Sequence, residues 1–373
     1  MSNAIHNFTY RLSCALRQTP KEWMRWRNSS DTAKNVRVYY GYDRVPLRTE
    51  IASGGIIKCQ DLNDRFPNTT RGGNLLYLIS SAIPVGYEPM VHFARKAGVK
   101  FVLNQNGVGY PAWYGPGWEA FNTPIRRLLR HADFIVYQSQ FCKTTADKFI
   151  GPISAPYTTL HNPVDTSYFS PATPQRELAP DGPILLAAGS HMQFYRVNQA
   201  LETLYNLRLN TGHGRLILAG RFCWKSDPAV AETEVHESIT RLGIAPFVMR
   251  VGPYSQSQAV PLLRSADILL HTKYNDPCPR LVVEALSCGL PVVYSASGGV
   301  PELVGDQAGI GIPSPLDYEQ LHPPCAMAMA KAVANIWSDY TTYSQAARER
   351  AVSQFDTKLW MNRHEEIFNR LIS

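Results

Sequence analysis

Two kinds of apolar spacing alternate along the chain. Compact runs with few polar interruptions, Val36–Gly41, Leu75–Ser80, Lys100–Asn104 and Phe134–Gln138, read as short buried strands. Between them Ile56–Phe66, Glu88–Ala97, Trp118–His131 and Phe141–Phe149 read as helices. The alternation restarts at Ile184–Ala188 and continues through Arg215–Ala219, Phe247–Val251 and Ile268–Leu270. Apolar strands separated by helices predict parallel sheets covered on both faces, with ligand sites at the carboxyl ends of the strands. Around residues 162–183 the composition turns to Pro, Ser, Thr and Asp, which marks a linker between two such domains. The pattern closes on Thr357–Leu371, where Leu359, Trp360, Ile367, Phe368 and Leu371 fall at helical spacing. Such a stripe is more often core than cofactor site.

The densest chemistry lies in His271–Tyr294, which reads as a strand end, a polar loop, a short helix and a second buried strand. Asp276 lies in the loop, and Glu284 follows eight residues later within the apolar helical run Leu281–Leu286. A rise of about 1.5 Å per residue separates the two carboxylates by roughly 10–12 Å. Between them lies a helix start, whose free amides and dipole favour an anion. Hydroxyl groups at both ends and a diphosphate in the middle would match this arrangement, which describes a nucleotide sugar. Read alone, the same residues also fit a Glu paired with a nearby cation and an Asp in ordinary loop chemistry.

Asp276, Glu284-Ala285, Cys288-Gly289, Pro291-Val292 and Gly298-Gly299-Val300-Pro301-Glu302 together resemble the signature of the GT-B glycosyltransferases of family four. The resemblance runs over most of residues 35–370 and includes Leu160–Phe169, which looks like that family's domain linker. It implies an α/β fold of GT-B architecture, two Rossmann-like doubly wound parallel-sheet domains facing across a cleft. The expected boundaries are an N-terminal extension over 1–34, an acceptor domain over 35–165 completed by helix 356–373, and a nucleotide-sugar domain over 166–355. It further implies transfer of a sugar from a UDP- or GDP-sugar to a hydroxyl acceptor, with retention of anomeric configuration, and no obligatory metal or other cofactor.

By that resemblance Asp276 and Glu284 are the catalytic pair. Asp276 would hold donor-sugar hydroxyls and support charge at the anomeric carbon, and Glu284 would take the ribose hydroxyls. The family has Glu at the place of Asp276. It also has an Arg just after Gly189 and a Lys near Tyr195, both on the pyrophosphate, whereas this chain has Ser190 and carries Arg196 one residue further on. Arg196 first, then Lys273, Arg280 and Arg221, are the cations available for that role, beside the helix-start amides of Arg280, Leu281 and Val282. Gly54 and Gly55 would face the donor phosphates, and Arg221 and Tyr254 lie in loops expected to take the nucleobase.

The stretch Asn104–Trp118 is dense in Gly, Pro and aromatic residues. Flat rings suit the C–H faces of sugars and amides suit hydroxyls, so Asn106, Tyr110 and Trp113 are the candidate acceptor wall; an ordinary structured loop with packed rings reads equally well. The segment Phe8–Arg27 mixes five basic residues with aromatics, as a membrane-surface helix or a helix packed on the first domain would.

Composition narrows the classes. The 373 residues suffice for two cores, and 45% hydrophobic with 18% charged residues is ordinary for a globular protein. Seven cysteines without a Cys-x-x-Cys pair argue against a zinc ribbon or a disulfide framework, and favour a reducing, cytoplasmic setting. No apolar run approaches the ~20 residues that cross a bilayer. A net charge of +7 suits an anionic donor or the anionic inner face of a membrane, where peripheral contact with a glycan or lipid-linked acceptor is expected. Nucleic acid is not expected, because no zinc-finger spacing, RNA-binding aromatic motif or dense basic run occurs. Asp-x-Asp, which would hold a divalent ion on the phosphates, is absent too. Two rival readings remain: a degenerate GT-B protein that binds a sugar nucleotide or a partner without turnover, and another GT-B enzyme such as a sugar-nucleotide epimerase or a phosphorylase.

Overall fold

The structure is a computed structural model, and it describes residues 18–27, 35–48, 50, 54–174 and 177–373. It divides into two compact units: residues 1–160 together with 358–373, and residues 161–357. The first ten residues of Phe8–Arg27 lie outside the described residues. Its remainder starts helix α1 (described over residues 18–26), which is packed rather than presented: Trp26 is buried against Tyr39, and Arg25 pairs with Glu22 and Asp43. Trp23 and Met24 stay exposed.

In the first unit a five-stranded sheet runs in chain order: β1 (Val38–Tyr39), β2 (Leu75–Ile79), β3 (Lys100–Gln105), β4 (Phe134–Tyr137) and β5 (Tyr157–Thr159), all parallel. The expected strand at Val36–Gly41 shrinks to two paired residues, and β5 is an addition to the sequence-based set. β2 is buried along its whole length, as an apolar run covered on both faces must be. One face packs on α3 (Tyr87–Lys96), α5 (Trp118–His131) and α6 (Gln140–Phe149) through Met90, Val91, Leu128, Leu129 and Cys142. The other face packs on α2 (Gly54–Asn63) and on the chain's last helix, α14 (Thr357–Ile372). There Trp360, Ile367 and Phe368 enter the core, with Phe368 edge-on to Phe66, while Leu359 of the expected stripe is exposed. A short helix, α4 (Pro111–Tyr114), follows β3.

The second unit holds a six-stranded parallel sheet in the order β11-β10-β9-β6-β7-β8. Its strands are β6 (Ile184–His191), β7 (Arg215–Phe222), β8 (Val248–Val251), β9 (Ile268–His271), β10 (Val292–Ala296) and β11 (Gly309–Pro313). The chain winds outward from β6 to β8 and then crosses back to β9, which pairs with the other edge of β6. β6 and β9 therefore flank the switch point of the sheet, where loops diverge and leave a crevice at the carboxyl ends. α7 (Phe194–Thr211) follows β6, and α8 (Pro228–Leu242) and α9 (Gln256–Arg264) complete the first winding. α10 (Arg280–Ser287) follows β9, and α11 (Val300–Val304), α12 (Ala326–Ser338) and α13 (Tyr340–Gln354) complete the unit. α10 buries Val282, Val283, Ala285 and Leu286 in the core, so its N-terminus is fixed in position at the switch point. Each valine and leucine among them contributes about 1.5–3 kcal/mol of burial.

Candidate functional site

The carboxyl end of β6 is shaped by glycine. A Cβ on Gly220, at φ +111°, would lie 1.9 Å from the carbonyl oxygen of Gly189, so β6 and β7 approach there as only glycine permits. Gly189 itself has φ +118° and open space beside it. The exposed Ser190 follows, and Arg196 on the first turn of α7 donates from Nη1 to the Ser190 carbonyl oxygen at 2.9 Å. Arg196 Nε is buried with no hydrogen-bond partner among the described residues. Burial lowers the pKa of this guanidinium, and the charge of Asp276 opposes that shift. The cation thus gives one of its five N–H donors to Ser190, and the buried Nε finds no acceptor.

Asp276 lies across the switch point, 8% exposed. Lys273 Nζ is 3.1 Å from its Oδ2, and His271 Nε2 is 3.2 Å from the same oxygen. The His271 contact is poorly aligned and falls short of a full hydrogen bond. Burial alone would raise the Asp276 pKa, but Lys273, His271 and Arg196 outweigh it and hold the carboxylate well below its usual range. Burial lowers the pKa of His271 against the pull of Asp276, which keeps the imidazole neutral near pH 7. The loop is pinned from several sides. Thr272 Oγ1 donates to the Arg196 carbonyl oxygen at 2.7 Å, and Tyr195 OH accepts the Tyr274 amide at 3.0 Å. Asn275 holds φ +52°, unusual for a side-chain-bearing residue, and its amide donates to Ser297 Oγ at 2.8 Å. The Gly299 amide donates to the Asp276 carbonyl oxygen at 2.8 Å.

Pro279 caps α10, and no side chain closes the helix start. The Val282 amide makes a long bond to the Pro279 carbonyl oxygen, 3.3 Å, so of the three amides expected to meet an anion those of Arg280 and Leu281 are better placed. Upstream, Asn162 Nδ2 donates to the Cys278 carbonyl oxygen at 2.6 Å and ties the loop to the start of the unit. Glu284 is on the second turn of α10 with Arg280 Nε 3.8 Å from its Oε1, so Arg280 leans along the helix toward the carboxylate. Tyr254 is close enough to Glu284 to feel its charge: burial first, then Glu284, pushes the phenol up to about 12.

The second unit therefore brings Arg196, Lys273, Asp276, Arg280, Leu281, Glu284 and Tyr254 together around one crevice. Arg221 is exposed on β7 in register with Ser190, and it joins neither carboxylate. His271, Asn275, Ser297 and the Tyr195 hydroxyl were missed by sequence reasoning. His271 carried a weak signal, a polar residue ending an apolar strand five positions before Asp276.

The remaining candidates lie in the first unit. Gly54 opens α2 with free space around it, whereas a Cβ on Gly55 would lie 2.7 Å from Ala82 Cβ and 2.8 Å from Ser81 Oγ. Packing thus suffices to explain Gly55. Tyr110 is 3% exposed and stacks on Phe149 at 5.6 Å, so its ring is core and not an open face, a correction to the expected acceptor wall. Trp113 is 43% exposed and edge-on to Phe121. Asn106 is half-buried and receives Lys58. Among the described residues no helix is long and apolar enough to cross a membrane.

Comparison with known proteins places these features. Residues 172–350, just under half of the chain, match the family model described as glycosyl transferases group 1. Among curated proteins, D-inositol 3-phosphate glycosyltransferase of Streptomyces bingchenggensis is 33% identical over 92 residues, covering 24% of this chain and 20% of that protein. The enzyme of the same name from Mycolicibacterium smegmatis is 40% identical over 65 residues, 17% of this chain and 15% of that protein. The matched segment thus spans about a fifth or less of these relatives' length. Among solved structures, sucrose-phosphate synthase from Thermosynechococcus elongatus superposes with TM-score 0.63 at 18% identity, over 85% of this chain and 76% of that one. Anabaena HepE in complex with UDP-glucose gives TM-score 0.62 at 19% identity, over 80% and 79%. The chain has the GT-B fold, built of two Rossmann-like α/β domains, and the match to the glycosyl transferases group 1 model falls within its second unit.

Proposed function

We propose that the chain is a retaining glycosyltransferase that moves a sugar from a nucleotide diphosphate sugar to a hydroxyl acceptor in glycoconjugate biosynthesis. One observation carries the reading: a deeply ionised carboxylate, Asp276, and the open N-terminus of α10 share the switch-point crevice with Arg196, whose Nε is unused. A leaving diphosphate needs donors and positive charge where its negative charge grows, and a glycosyl cation needs a fixed carboxylate near the anomeric carbon.

In this proposal the Arg280 and Leu281 amides and the Arg196 guanidinium meet the diphosphate. Asp276, kept ionised by Lys273 and His271, faces the sugar. Glu284 accepts from the ribose hydroxyls, and Tyr254 lies beside the nucleoside. Arg196 then supplies what an Arg at Ser190 would otherwise provide. The HepE complexes contain UDP and UDP-glucose, which favours a UDP-sugar as donor here. No metal ion takes part in this scheme.

The test is a thermal-shift panel of UDP-, GDP-, ADP- and TDP-sugars. Specific binding of one class raises the melting temperature by mass action, about 2.7 kcal/mol of stabilisation at a hundred times Kd. A panel in which none responds sinks the proposal. The exposed Ser190, standing where the resembled family has Arg, favours one rival, a binder without turnover. Release of nucleoside diphosphate from the responding sugar separates transferase from binder.

A further inference from the structure

The proposed placement of the donor leaves one short segment to line its sugar. Asp276 faces the sugar and the Arg280 and Leu281 amides meet the diphosphate, so Pro277-Cys278-Pro279 runs beside the group that joins them. A proline carries its Cδ methylene where another residue carries an amide hydrogen, so two of these three residues have no backbone donor. Pro277 and Pro279 are both half-buried, which leaves part of each ring at the surface.

Cys278 does not make up for the prolines. Its side chain is buried, with the Asn162 amide 3.4 Å from Sγ, and its carbonyl oxygen accepts from Asn162 Nδ2 at 2.6 Å. Sulfur and carbonyl are thus turned toward the start of the unit. The hydrogen-bonding groups gather instead at the other end of the loop. Lys273 Nζ and Asp276 Oδ2 lie 3.1 Å apart there, and the carbonyl oxygen of the Asn275 side chain is buried with no hydrogen-bond partner among the described residues. A sugar lodged between these ends meets charge and polar atoms at Asp276 and pyrrolidine methylenes at Pro277 and Pro279. A hydroxyl turned toward the prolines gives up water for few partners, which weakens binding. A methyl group in its place gives up nothing and buries apolar surface.

We infer that the donor sugar is a 6-deoxyhexose, with Pro277 and Pro279 as the specificity-determining residues that pack on its methyl group. That methyl projects from the edge of the pyranose ring, so it reaches the proline wall while ring hydroxyls stay on Asp276 and Lys273. The inference rests on the proposed glycosyl transfer and names the sugar class for it.

Matched pairs of nucleotide sugars test this. With the nucleotide that responds in the thermal-shift panel, donors carrying glucose, mannose or galactose are titrated by calorimetry against donors carrying the 6-deoxy form of the same sugar. The full chain should bind the 6-deoxy member of its preferred pair about tenfold more tightly or better. Pro277→Ala restores one amide hydrogen and removes the ring, so it should shrink that ratio at least threefold. Because both members of a pair are measured on the same variant, a general loss of stability or of nucleotide affinity cancels from the ratio. Parent sugars that bind as well as or better than their 6-deoxy forms overturn the inference and leave the transferase reading standing. A 6-deoxy preference unchanged in Pro277→Ala overturns the proline wall as its source. A panel in which no nucleotide sugar binds overturns the transferase reading, and this inference with it.

Discussion

A Cβ on Gly298 would lie 2.4 Å from the carbonyl oxygen of Asp276. The first glycine of Gly298-Gly299-Val300-Pro301-Glu302 is therefore the surface on which the Asp276 loop rests, and its φ of +70° is a conformation that side chains rarely adopt. Gly298→Ala should destabilise the second unit by about 1–3 kcal/mol and displace Asp276. Gly212, at φ +74° with open space around it, supplies the control. Gly212→Ala should lower the melting temperature without changing nucleotide-sugar affinity, whereas Gly298→Ala should lower both. Equal effects on affinity would refute the link between the two loops.

That contact was visible in the sequence only as a motif. The Gly-Gly pair and the Asp lie about twenty positions apart, and nothing in periodicity says that they touch. The two sheets were legible because parallel strands buried on both faces are mostly apolar, as β2 is along its length and β6 and β9 are up to their polar carboxyl ends. Strand β5 was not, because its three residues, Tyr157 to Thr159, are half-polar and gain their place only by pairing with β4. Asp276, Glu284 and the start of α10 stood out through the resemblance to a known signature, because spacing alone left a paired Glu and an ordinary loop Asp equally open. The unused Nε of Arg196 and the neutral state of His271 depend on burial by distant segments, so no spacing rule reports them. Tyr110 failed for the same reason: an aromatic in a Gly/Pro-rich loop looks open until Phe149 covers it.

Asp276→Asn should reduce kcat by about a hundredfold while leaving donor affinity nearly unchanged, if the carboxylate acts on charge that develops only in the transition state. The substitution also leaves Lys273 and Arg196 without their counter-charge in a buried site, so the melting temperature should fall as well. Asp276→Glu restores the charge and should retain more activity than Asn. Steady-state kinetics beside the melting curve separate the two effects. A kcat unchanged in Asp276→Asn removes the residue from the mechanism.

Glu284→Ala removes the carboxylate assigned to the ribose hydroxyls. A hydrogen bond to a charged group contributes about 1.5–3 kcal/mol, so donor affinity by calorimetry should drop ten- to a hundredfold or beyond detection. Arg280→Ala is the useful comparison, since that side chain leans on Glu284 and its backbone amide remains. Its effect should be smaller. Unaltered affinity in Glu284→Ala would refute the assigned role.

Two buried histidines predict the acid limb of stability. Burial, with the positive charge of Arg196 adding to it, lowers His191 to about 4, and burial with Lys58 lowers His364 to about 4. An unfolded histidine titrates near 6.5, so between about 6.5 and 4 the unfolded chain binds more protons than the folded one. Stability is therefore complete above pH 6.5 and falls as the pH drops, by about 3 kcal/mol for each histidine over the whole window. Asp276 is displaced in the same direction, to a carboxylate pKa below 3.8, so its contribution is also lost on acidification but only at lower pH. Melting temperatures at pH 7.5, 6.5 and 5.5 thus report the histidines before the carboxylate titrates. His364→Gln should flatten this limb for the first unit, because glutamine carries no proton equilibrium, even though it lowers stability at pH 7.5 by breaking the bond to Tyr77. An acid limb of unchanged slope in that variant would show that His364 is not the group that titrates.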